Sequence, residues 1–166
     1  MLRRLLVGFM DLILVGILMG IGGTFAMDVL AWTQSNLGVA PFPNWAMPGR
    51  WAVHVTRGTL FHEAIAEAEE VPNELTIGWL FHYAVGIAYG LVFIAIAGAG
   101  WLAAPGFVPV WIFSLITIAA GWFLLQPGMG LGWAASKTPS PWKVRGLGLL
   151  AHTVFGLGMW VVALLA

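Results

Sequence analysis

Asp28, His82, Gln126 and His152 are polar side chains with chemistry to offer, and each sits in a sequence otherwise made of hydrocarbon. His82 lies inside GWLFHYAVGIAYG (78–90) and His152 opens HTVFGLGMWVVALLA (152–166). An imidazole in such a helix is a hydrogen-bonding group, a proton carrier near neutral pH or, when neutral, a metal ligand. Two imidazoles on facing helices also suffice as the axial ligands of a haem. With no CxxCH sequence, that haem would be a non-covalent b-type group. The plainer reading is interhelical hydrogen bonding, worth about 0.6–2 kcal/mol per contact. Asp28 follows GIGGTFAM, where an ionised carboxylate must find a partner or water. Ionisable residues inside a membrane usually face the bundle interior and are functional candidates by default. Asp28, His82, His152 and Gln126 are therefore the candidate polar or ligand site, with His82 and His152 as the metal candidates.

These residues are carried by four apolar segments. Of the 166 residues, 60% are apolar and only 8% charged, against roughly 25% charged in a soluble domain. A soluble fold could not cover its surface with so few charges. A membrane crossing needs about 20 mostly apolar residues. Residues 6–32, 75–99, 109–135 and 141–165 qualify. The first run is too long for a signal-peptide core and ends without a small-residue cleavage site, so it reads as a retained span. Asn73 is the expected N-cap of the second span, with Glu74 in its first turn. Pro109 suits the first turn of the third, and Ser140-Pro141 reads as cap and N1 of the fourth. The expected fold is all-α: a single integral membrane four-helix bundle, with short interfacial helices in its first loop.

That loop, residues 33–74, holds seven of the fourteen charged residues. PNWAMPGRWAVHVTRG reads as an interfacial helix with Trp45 and Trp51 as belt residues and Gly58 as its stop. TLFHEAIAEAEEVP reads as a second, acidic short helix closed by Pro72. His54, His62, Glu63 and Arg50 are its candidate contributors to a site, should the loop fold over the bundle mouth. Their spacing matches no tight metal signature such as HExxH, so solvated surface is the expectation. Near the span ends, Arg50, Arg57, Lys137, Lys143 and Arg145 lie on one side against Arg3 and Arg4 on the other. The excess favours a cytoplasmic first loop.

A weak internal repeat underlies the pattern. His82 and His152 are each followed by three residues, a glycine and an apolar run, and each lies about two turns into its span. GGTFAMDVLAW and LLQPGMGLGW match more loosely. Two spans per unit make the units parallel, a 2+2 pseudo-repeat about an axis along the membrane normal. That axis would set the two histidines at equal depth. Gly16 and Gly20, with Gly86 and Gly90, form small-xxx-small faces for helix packing. Pro127 kinks the third span, and Gly128, Gly130 and Gly132 permit close backbone approach or a broken helix.

Several classes are disfavoured. Zero net charge gives no footprint for nucleic acid. The absence of cysteine removes disulfides, thiolate sites and cysteine nucleophiles. No nucleophile–base–acid constellation has convincing spacing, which leans away from an enzyme.

GTFAMDVLA, NWAMPGRWAVHVTRGTLFH, GWLFHYAVGIAYG, QPGMGLGWAASKTP and HTVFGLGMW, in this order, resemble the DUF2938 family of small bacterial integral membrane proteins of unknown function. The resemblance implies a bacterial inner membrane and four spans, and it carries over no functional residue. The expectation is a multi-pass protein whose polar site binds a metal ion or haem or handles protons. The alternatives are a small-solute or ion transporter acting as a homodimer, and an assembly subunit of a membrane complex with purely structural histidines.

Overall fold

A computed structural model describes residues 8–166. Leu6 and Val7, the expected start of the first span, and Arg3 and Arg4, which bear on orientation, lie outside the described residues. Among the described residues, four helices are long and apolar enough to cross a membrane: Phe9–Asn36, Glu74–Leu102, Phe107–Gly128 and Pro141–Leu165. No strand occurs among the described residues. The first helix runs a turn past its expected end. The third stops seven residues short of residue 135. Beyond Gly128 the chain turns through Gly130 and Gly132, at φ +86° and +73°, where a side chain would be strained. The backbone there is too irregular to continue the helix.

The first span is central. It packs along both the second and the fourth, and the third packs on the fourth. Its sequence explains this. Gly16 and Gly20 face Gly86 and Gly90 of the second span, so closely that a Cβ on any of the four would strike the partner helix. Gly22 and Gly23, one face around, meet Gly158 and Phe155 of the fourth. Lipid tails are as apolar as leucine, so close backbone packing is what holds such helices together. Gly86→Ala would press on the Thr24 hydroxyl, which is buried and bonded to the Gly20 carbonyl at 2.8 Å. It should cost about 1–3 kcal/mol, read as a lower thermal midpoint in detergent.

The first span packs with the second and the third with the fourth, and the first packs as closely on the fourth. The join between the second and third spans is one-sided. They touch mainly where Tyr89 and Phe93 meet Phe113 and Thr117, from mid-span toward their short connection. Toward the first-loop side they hardly meet. The bundle is open along that seam.

The first loop covers this side. Its helix, Ala46–Thr56, lies across the start of the second span, and Gly58 at φ +90° ends it as expected. Gly49 and Gly78 let the two backbones touch: a Cβ on Gly78 would fall on the Trp45 carbonyl oxygen. Two expectations fail here. Trp51 is buried, and Trp45 packs on the second span, so neither is an exposed belt residue. The second short helix reduces to a single 3-10 turn, Ile65–Glu67. The reason is Arg50. Its Nη1 takes the carbonyls of Ile65, Ala66 and Ala68 at 3.1, 3.3 and 2.9 Å, which an α-helix would use internally. The same guanidinium holds Glu74 through two bonds of 2.8 and 2.9 Å. Asn73 has a left-handed backbone and makes no side-chain cap, and Ser140 makes none either. Glu74 instead accepts the Val71 N–H at 3.3 Å.

Candidate intramembrane site

Between the four spans and the loop helix lies a cavity of about 380 Å³. His82 and His152 both line it. Trp45 and Trp51 form its roof, and Thr24, Tyr89 and Thr117 are the other polar side chains on its wall; the rest is apolar.

His82 is fixed from two directions. Its Nε2 bonds Asp28 Oδ1 at 3.1 Å, and the Tyr83 hydroxyl donates to Asp28 Oδ2 at 2.8 Å. The first span thereby supplies one carboxylate to two donors on the second. Above the imidazole lies the Trp45 indole, with ring centroids 3.8 Å apart and planes 24° from parallel. The roof helix is thus seated directly on the histidine.

His152 is fixed by the third span. Its Nδ1 lies 2.9 Å from the Ser114 carbonyl and 3.1 Å from Thr117 Oγ1. The Thr117 hydroxyl itself donates to the Ser114 carbonyl at 2.7 Å. Gly86, four residues after His82, packs between Gly20 and Thr24, and Phe155, three residues after His152, packs on Gly23. Each histidine therefore lies about 5 Å to the first-loop side of one shared layer.

The remaining candidates are elsewhere. Gln126 does not border the cavity, and its Oε1 is buried without a partner. Glu63 points its side chain outward. Arg50 belongs to the loop clamp. His54 and His62 are not solvated surface: His54 is buried, and its Nδ1 lies 2.9 Å from His62 Nε2. His62 Nδ1 reaches the Gly128 carbonyl at 3.0 Å, and its backbone N–H bonds the same oxygen at 2.9 Å. A carbonyl only accepts, so His62 Nδ1 carries the proton and its Nε2 accepts from His54. This chain ties the roof helix to the end of the third span. Among the described residues, no three His, Cys, Asp or Glu side chains are grouped to hold a metal ion.

Ser114, Thr117, Tyr83 and Tyr89 were not legible as site residues. Only the adjacency of Tyr83 to His82 offered a signal. The kink expected at Pro127 takes the form of a π-helical turn, Gly121–Leu125. Proline lacks the N–H that would bond the fourth residue back, and the turn widens to compensate. Gly121, Leu124 and Leu125 from this turn form part of the cavity wall.

The chain belongs to the family described as protein of unknown function (DUF2938), whose model matches residues 17–166, nearly the whole chain. No curated protein and no solved structure matches it.

Proposed function

We propose that this DUF2938 protein binds a small lipid-soluble molecule within the bilayer, with His82 and His152 as its polar contacts. One observation carries the reading: two histidines from different spans border a single, mostly apolar cavity of about 380 Å³. Small-molecule sites are typically of this kind, mostly apolar with a few positioned polar groups. The open seam between the second and third spans gives a path from the lipid. A metal centre has weaker support, because among the described residues no third His, Cys, Asp or Glu is grouped with the two imidazoles. In this reading the protein resides in a bacterial inner membrane, with the roof on the cytoplasmic side. A second reading is a carrier for the same class of molecule, acting as a homodimer. The π-helical turn in the cavity wall favours it, because such turns often mark functional positions.

The test is the protein purified in mild detergent, its absorption spectrum, and mass spectrometry of its organic extract. A near-stoichiometric lipophilic molecule should accompany the wild type and be lost from the His82→Ala, His152→Ala double variant. A Soret band would replace the proposal with a b-type haem. Bulk phospholipid alone, equal in both proteins, would overturn it.

A further inference from the structure

We infer that the cavity selects a ligand that donates hydrogen bonds, a lipid-soluble phenol or alcohol, over one that only accepts them, such as a quinone, ketone or ether. The inference rests on the binding role proposed above and names the ligand class.

It follows from a census of the polar atoms around the cavity. A neutral imidazole has one N–H donor and one bare acceptor nitrogen. The Ser114 carbonyl cannot donate, so His152 Nδ1 carries the proton. The Asp28 carboxylate likewise only accepts, so His82 Nε2 carries its ring's proton. What remains is His152 Nε2 and His82 Nδ1, and both are acceptors in the neutral ring. The donors on the wall are already spent. The Thr24 hydroxyl donates to the Gly20 carbonyl at 2.8 Å, and the Thr117 hydroxyl to the Ser114 carbonyl. The Trp51 N–H donates to the Leu60 carbonyl at 2.9 Å, and the Tyr89 hydroxyl faces the Thr117 carbonyl at 3.4 Å. The Trp45 N–H has no acceptor, but it is buried in the packing and presents no surface.

With both rings neutral, the cavity offers lone pairs and no accessible donor. In so apolar a setting an unpaired polar group is costly. An O–H group answers an imidazole lone pair. A carbonyl or ether oxygen sets lone pair against lone pair and leaves both unsatisfied.

The experiment compares two nearly isosteric probes, 4-hexylphenol and 4-hexylanisole, which differ in the one O–H. Binding is measured by calorimetry on the protein in lipid nanodiscs, with empty nanodiscs subtracting partition into lipid. The phenol should bind about tenfold more tightly, the scale set by one to two net hydrogen bonds. His82→Phe and His152→Phe keep a ring in place and remove the acceptor, and each should shrink the preference. Equal binding of both probes to the wild type would overturn the donor rule while the cavity reading stands. Binding of neither above empty nanodiscs would overturn the cavity reading, and the donor rule with it.

Discussion

Arg50→Met should destabilise the protein by about 3–5 kcal/mol, the usual result of removing one partner from a buried ion pair. Arg50 is 2% exposed and sits at the junction of three pieces of chain. Its Nε and Nη2 hold the Glu74 carboxylate, and its Nη1 gathers three carbonyls from the turn around Ile65–Glu67. The bonds to Glu74 raise the guanidinium above its ordinary pKa despite the opposing effect of burial, so the group stays charged. Methionine fills much of the same space but removes the guanidinium from a carboxylate and three carbonyls, leaving Glu74 only the 3.3 Å bond from the Val71 N–H. Glu70 lies 3.5 Å from Arg50 but is 86% exposed and contributes little. The effect should be local in origin. The apolar contacts of the four spans do not involve Arg50, so helical content by circular dichroism should persist while proteolysis within residues 59–72 accelerates. Thermal unfolding in detergent gives the magnitude. A midpoint unchanged from wild type would show that the clamp is incidental.

The four spans were legible because each is long, apolar and nearly free of charge, and a bilayer leaves a chain few other ways to satisfy its backbone. The Gly16, Gly20, Gly86 and Gly90 faces were legible because small residues four apart leave a visible groove. The loop was not. Whether TLFHEAIAEAEEVP becomes a helix depends on an arginine from another segment competing for its carbonyls, and local pattern does not contain that competition. Trp45 and Trp51 read as belt residues because tryptophan prefers membrane interfaces. They are roof residues instead because Gly49 and Gly78 bring the loop helix down onto the second span. Asp28, His82 and His152 stood out by type alone. Their orienting partners, Ser114 and Thr117, are ordinary helix residues whose role depends on which face meets the fourth span. Gln126 stood out in the same way and turned aside, because Pro127 and the π-helical turn alter the facing of everything around it.

Gly78→Val should unseat the roof and open the site. The Cβ would land on the Trp45 carbonyl oxygen, and its nearest other neighbours are the Trp45 carbonyl carbon and the Gly49 amide nitrogen. All are backbone atoms, so no rotamer change relieves the clash. Overpacking of this sort costs about 1–3 kcal/mol. The cheapest relief is for the Ala46–Thr56 helix to lift away, carrying Trp45 off His82. If that strain is released wholly by lifting, the open state becomes about 5- to 150-fold more populated. The chain has no cysteine, so one introduced thiol reports alone. Val85→Cys puts it on the cavity wall. Labelling by a water-soluble maleimide should accelerate by that factor when Gly78→Val is added, and the preference for 4-hexylphenol should weaken in parallel. Gly78→Ala carries the same clashing Cβ with less bulk and should fall between. Unchanged labelling with the spans still folded would mean that the roof does not guard the cavity. The two histidines would then answer to the lipid through the seam between the second and third spans alone.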